Sequence, residues 1–240
     1  LAGSNGTPGE YGWDGLPGTY FMIDPREELI LIYMQQIEQN GDLSLRRKMR
    51  QIVYGALEEK AWAKRLNRHF LSRPATELAH ELIGKLLCRR SEEGILRYRI
   101  METECYFGQE DTACHASKGK TERTRILFEK GGTSYVYLCY GIHSLFNVVT
   151  GPEGHPEAVL IRGVEGYNGP GKLTKALHIT RELNGEDLVN STELWIEEDG
   201  VTLPIRKAKR VGIDYATPEY RDILWRYIAD DGRYRPAAGS

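Results

Sequence analysis

Short apolar runs and two-residue alternation dominate the chain, and helical spacing is the exception. Residues 19–24 and 28–34 read as strands. Pro25 lies between them, and its preset φ suits a turn. Asn40-Gly41-Asp42 closes that region. Leu45, Met49, Ile52, Val53 and Leu57 follow at spacings of 4, 3, 1 and 4, one apolar face of a helix. The opening unit therefore reads strand, strand, helix. Pro74 suits a first helical turn, with Leu78, Leu82, Ile83, Leu86 and Leu87 as the apolar face and Arg89-Arg90 at the C-terminal end. Strands are predicted at 95–102, 133–140, 145–150 and 158–163, a helix at 172–177 behind Gly169-Pro170-Gly171, and late strands at 193–197 and 210–213. Strands without regularly interleaved helices predict an α+β fold with a largely antiparallel sheet.

Composition narrows this reading. At 240 residues, 40% hydrophobic and 28% charged, the chain is of ordinary globular type, long enough for one large domain or one domain with an appendage. A net charge of −2 excludes a chain-wide basic coat but not a local basic face. Candidates for such a face are Lys118, Lys120, Arg123, Arg125, Arg206, Lys207, Lys209 and Arg210. The charge balance changes near residue 62: residues 1–62 carry six basic and nine acidic side chains, residues 63–240 carry 26 and 25. Two parts of separate origin are expected, 1–62 and 63–240, the first a gene fusion or an assembly artefact. The longest apolar run, 29–34, is far below the roughly 20 residues of a membrane helix, so no membrane partner is expected. Leu1-Ala2-Gly3-Ser4-Asn5-Gly6 is no signal peptide; lacking an initiator Met, it reads as a fragment or internal start. Cys88, Cys105, Cys114 and Cys139 form no C-x-x-C pair and read as free thiols in a reducing cytosol. Cys105, Cys114, His115 and Cys139 fit no common zinc spacing, so no metal is expected.

Three clusters carry chemistry. Glu102-Thr103-Glu104-Cys105-Tyr106, followed by Glu110-Asp111 and His115, begins at the end of an apolar strand. If the strand continues, Glu102, Glu104 and Tyr106 share one face; the alternative is a solvated acidic strand end. Tyr135-Val136-Tyr137-Leu138-Cys139-Tyr140-Gly141 alternates as a buried strand would and ends in a turn at Tyr140, where an aromatic serves as a wedge between bases or as a lid over the core. Asn147 lies inside an apolar run and Arg162 ends one, so each needs a bonded partner or a pocket. In the third cluster Asn168-Gly169-Pro170-Gly171-Lys172-Leu173 makes a glycine-rich turn entering a helix. That turn suits a phosphate, or is simply tight with a solvated lysine.

Met101-Glu102-Thr103-Glu104-Cys105-Tyr106, Glu110-Asp111, His115-Ala116-Ser117, Tyr135 to Gly141, Phe146-Asn147-Val148, Ala158 to Arg162 and Gly169 to Leu173 occur in an order that resembles the alkyladenine (3-methyladenine) DNA glycosylase family over about 66–229. The resemblance implies a single mixed domain around a curved antiparallel sheet. It implies excision of alkylated and deaminated purines from damaged double-stranded DNA, by a monomer, without a cofactor. Glu104 would be the general base that activates water. Tyr106 and His115 would stack on the flipped base, and Tyr140 would fill the gap in the duplex. Asn147 would disfavour guanine at the pocket floor, Arg162 would lie beside the flipped nucleotide, and Lys172 near DNA phosphate. Three features depart from the family pattern: only six residues separate Arg162 from Gly169, Gln109 stands where proline is common, and Thr124-Arg125-Ile126 differs. Residues 7–58, carried by Tyr11-Gly12-Trp13-Asp14-Gly15-Leu16-Pro17-Gly18-Thr19 and Ile23-Asp24-Pro25, resemble the C-terminal end of the serine β-lactamase and penicillin-binding-protein family. That family's S-x-x-K nucleophile motif is absent, which argues against a serine hydrolase. A damage-binding protein without turnover is the other alternative, and an intact Glu104 speaks against it.

Overall fold

A computed structural model of the protein describes residues 9–15, 19–25, 29–34, 48–53, 64–91 and 94–237. The chain divides into two units, Leu1–Trp62 and Ala63–Ser240. In the first, β1 (Tyr11–Asp14), β2 (Tyr20–Asp24) and β3 (Leu29–Tyr33) form an antiparallel meander. The strand β1 was not foreseen, because Gly12 breaks its alternation and its aromatics face outward: Tyr11 and Trp13 are exposed. Met22 is buried, and Tyr20, two residues earlier on the same strand, accepts a 2.8 Å bond from Arg50 in the helical segment 48–53. The remainder of the expected helix at 45–57, and the break at 40–42, lie outside the described residues.

The second unit is organised by one long strand. After β4 (Lys64–Arg65), two short helices follow, α1 (Arg68–Leu71) and α2 (Ala75–Glu81). Pro74 precedes α2, and the buried Glu157 carboxylate accepts from the Ala75 N–H at 2.6 Å, satisfying a first-turn donor at the positive end of the helix. The helix stops earlier than its apolar spacing suggests. Gly84, at φ +90°, turns the chain and its N–H donates to Ile100 O at 2.9 Å. Leu86, Leu87, Arg89 and Arg90 therefore belong to a strand, β5 (Leu86–Ser91). Hydrophobic residues four apart fit both periods when the strand is buried, and tertiary pairing decided between them.

The strand β6 (Gly94–Phe107) follows, fourteen residues long. Its first half pairs with β5 and its second half with both β9 (Glu157–Val164) and β13 (Arg226–Ala229). Between them lie β7 (Ser134–Cys139) and β8 (His143–Val149), a hairpin that joins β9. Then come β10 (Tyr167–Asn168), folded back on β9, α3 (Pro170–Ala176), β11 (Leu194–Glu198), β12 (Ile205–Ala208) and a short helix α4 (Pro218–Arg221). The main path runs β4-β11-β5-β6-β9-β8-β7, and every pairing in it is antiparallel. The protein is thus an α+β fold around a largely antiparallel sheet. The predicted strand at 210–213 is absent: Gly212 sits at φ +73°, and Val211 spends its N–H on Glu104. Instead β12 and β13 flank that segment; their mixed, charged sequences carry no alternation a reader could trust.

Leu78, Leu82, Leu87, Ile100, Phe146, Val148, Val159 and Ile161 are fully buried in the main core. A second cluster, Cys114, Ala116, Ile126, Leu127, Tyr135, Val149 and Ala158, lies toward the site described next.

Candidate active site

Directly paired residues of neighbouring antiparallel strands point to the same face. Tyr135 pairs with Asn147, Asn147 with Leu160, Leu160 with Glu104, and Glu104 with Arg226. One row across five strands therefore brings Glu104 and Asn147, two of the residues that the sequence singled out, onto one face with Tyr135 and Arg226. The rows on either side of it bring Tyr106 opposite Ala158 and, on the other side, Tyr137 opposite Leu145.

Above these rows lies a cavity of about 1090 Å³, of the size that takes small-molecule ligands. Tyr106, His115, Tyr137, Asn147, Leu160 and Arg162 line it, with Tyr140 and Lys172 at its rim. Glu104 is fully buried and touches the cavity through its partners. The Tyr106 hydroxyl donates to Glu104 Oε2 at 3.0 Å, the Val211 N–H to Oε1 at 2.8 Å, and Arg162 Nη1 approaches Oε2 at 3.4 Å. Burial raises the Glu104 pKa above the ordinary glutamate value; Arg162, the Val211 amide and Tyr106 oppose that rise.

His115 opens a 3₁₀ turn after Cys114. Its Nδ1 lies 3.1 Å from the Tyr135 hydroxyl, and Tyr137 stands edge-on at 4.5 Å between ring centroids. Burial, with the nearby Arg123 charge, lowers the His115 pKa to about 4, so the ring is neutral at physiological pH. Asn147, also buried, donates from Nδ2 to Tyr135 O at 3.1 Å. Tyr140 is 93% exposed at the tip of the β7–β8 hairpin, in the left-handed region at φ +51°, a conformation that costs a bulky residue about 1–2 kcal/mol. Lys172 is exposed on the first turn of α3, with Nζ 3.0 Å from Asn168 Oδ1.

Several contributors were not foreseen. Tyr137 shares the face of Tyr135 by simple alternation, a signal available in the sequence. The Val211 amide left no signal, since a backbone donor has no residue type. Arg210 belongs here too, and not to the basic face expected of it. It is buried, pairs with Asp111 through both nitrogens at 2.5 and 2.9 Å, and lies 4.9 Å from the Tyr106 ring centroid and 5.2 Å from that of Trp225. An arginine fixed this way backs the Tyr106 wall. Lys118, Lys120, Arg123 and Arg125 are exposed. Among the described residues no group of three or more His, Cys, Asp or Glu is placed to hold a metal ion, and no helix is long and apolar enough to cross a membrane.

The methylpurine-DNA glycosylase family model matches residues 69–168 and 165–233. The chain belongs to the methylpurine-DNA glycosylase family. Its relatives include proteins named as candidate 3-methyladenine DNA glycosylases. That of Methanocella arvoryzae is 43% identical over 184 residues, 68% of this chain and 90% of the relative. That of Natranaerobius thermophilus is 42% identical over 194 residues, 71% and 98%, and that of Rickettsia felis 44% over 173 residues, 69% and 93%. This glycosylase is accordingly an enzyme of base excision repair whose substrate is DNA. The two matched stretches meet at 165–168, where the glycosylase folds β10 tightly back on β9 through Glu165-Gly166, the glycine at φ +80°. The family match begins at residue 69, and the resemblance of residues 7–58 to β-lactamases finds no support in these relatives.

Proposed function

We propose that the enzyme flips alkylated or deaminated purines, of the 3-methyladenine and hypoxanthine type, out of duplex DNA and hydrolyses their N-glycosidic bond, leaving an abasic site. The observation that carries this reading is Glu104: a buried carboxylate beneath an aromatic cavity, with all three of its bonding partners on the cavity wall.

The glycosidic bond breaks with positive charge on the sugar. An ionised Glu104 stabilises that charge and takes a proton from the attacking water. A carboxylate whose pKa burial has raised is a better proton acceptor than a free one, while the Arg162 charge favours its ionised form. Tyr106 and the neutral His115 form walls for the flipped base; a neutral ring spares a cationic alkylated purine from charge repulsion. Asn147, with its amide already committed to Tyr135 O, leaves little room for a guanine amino group at the floor. Tyr140 fills the gap in the stack, and damaged bases flip at lower cost, which adds selectivity. Lys172 meets phosphate at the rim. The chemistry needs no cofactor, and a single chain carries every residue named, as a monomeric enzyme requires. Its free thiols suit a reducing compartment.

Single-turnover excision from two duplexes, one bearing hypoxanthine and one an alkylated adenine, tests the reading, with alkaline cleavage revealing abasic sites. Glu104→Gln is expected to lower excision at least about a hundredfold on both while lesion binding persists. Unchanged excision by the variant would remove Glu104 from the reaction, and binding without excision by the wild type would make the protein a damage binder.

A further inference from the structure

Glu102 is 1% exposed, does not line the cavity, and is used by no step above. It is nonetheless as heavily bonded as Glu104, and by side-chain donors alone. Arg162 Nε donates to its Oε1 at 3.0 Å, Arg226 Nε to the same oxygen at 2.7 Å, and the Tyr234 hydroxyl to its Oε2 at 2.9 Å. Arg162 thus sits between two carboxylates, close to Glu102 through one nitrogen and longer, at 3.4 Å, to Glu104 through another.

Two features of the backbone serve this arrangement. The β6–β9 pairing keeps one register from Ile100↔Val164 to Phe107↔Glu157 except at Glu102, which pairs with Gly163, so that Arg162 drops out of the ladder. Such irregularities re-aim a side chain. Gly163 has no side chain, and a Cβ there would lie 1.8 Å from the Tyr234 hydroxyl. Only glycine admits the phenol to Glu102.

We propose that Glu102 is a positioning residue of the excision reaction: it draws Arg162 away from Glu104, under the control of Arg226 and Tyr234, and so sets how basic Glu104 is. This rests on the reading of Glu104 as general base. An arginine released from Glu102 would close on Glu104 as a bidentate partner, hold it ionised to lower pH, and weaken it as a proton acceptor. Facing Glu104 are Arg162 from β9, Arg226 from β13, Tyr106 from its own strand, Tyr137 from β7 and Tyr215; facing Glu102 are Arg162, Arg226 and Tyr234. The phenols are neutral across the pH range concerned, so the balance is between two carboxylates and two guanidiniums.

The test is the pH profile of single-turnover excision by the full chain. An alkylated, cationic purine is the lesion of choice, since its departure needs no proton and the acid limb then reports the base alone. Glu102→Gln is expected to move that limb down by about one pH unit and to lower the plateau three- to tenfold. Tyr234→Phe strips a donor from Glu102, strengthens its pull on Arg162, and should move the limb the opposite way by a few tenths of a unit. Opposite displacements with lesion binding kept within threefold support the proposal. Loss of amplitude in both variants with an unmoved limb would reduce Glu102 to a structural part and overturn it. If Glu102→Gln does not fold, the sign of the Tyr234→Phe displacement decides alone. Retained excision in Glu104→Gln would sink the base reading instead, an outcome separate from either of these.

Discussion

His115 illustrates how much a single side chain's surroundings dictate. In water its ring would titrate near neutrality; under Tyr137 and beside Arg123 its pKa is lowered to about 4. The sign of the consequence is fixed by linkage. The unfolded chain takes up a proton below its ordinary value near 6.5 while the folded one resists until about 4, so this stability is present above pH 6.5 and lost as pH falls toward 4. The ceiling is about 3 kcal/mol, from roughly 1.4 kcal/mol per pH unit. His115→Gln should therefore flatten the pH dependence of urea unfolding between pH 6.5 and 4, and a curve parallel to wild type would contradict the half-buried, neutral ring. The residue type and its place in the His115-Ala116-Ser117 motif were legible in the sequence. Its neutrality was not, because Tyr135 and Tyr137 reach it from a strand twenty residues on.

The β7–β8 hairpin shows the same division at the scale of an element. Both strands were legible from alternation, and Gly141 marked the turn. What the pattern left open was whether Tyr140 covers the core or projects from the tip; it projects, together with Ile142, which is 73% exposed. Holding a tyrosine at φ +51° costs stability with no packing in return, which fits a residue kept for contact with something outside the chain. Tyr140→Gly should leave the melting temperature unchanged or slightly raised. Excision from duplex should fall ten- to a hundredfold, as the gap in the stack goes unfilled. Excision from a single strand, where there is no gap, should change less than threefold. An equal loss on both substrates would assign Tyr140 to the pocket and not to the wedge. Elements whose character comes from pairing were misread: β5 as the end of a helix, and β12 and β13 not at all. A strand buried on both faces loses the period-2 signature, and a charged one never had it.

For the molecule as a whole, every residue placed in the site lies in the unit Ala63–Ser240, and the family match begins at residue 69. The meander of the first unit has Trp13, Ile30, Ile32 and Met34 exposed. Deleting residues 1–62 should leave the single-turnover rate within twofold and the melting temperature of the glycosylase unit within a few degrees. A large loss of either would show that the appendage supports the enzyme. The motifs by themselves determined the family, and the strand-rich pattern the α+β class; the motifs also named the residues proposed for the site, because water activation, stacking and wedging each demand particular side chains in recognisable runs. Only the tertiary structure decided that Tyr135, Asn147, Leu160, Glu104 and Arg226 form one row across five strands, that Arg210 is a buried prop and not a surface charge, and that Glu102 shares Arg162 with Glu104. Those facts depend on strand register, and register is set by packing between segments far apart in the chain, which no local pattern encodes.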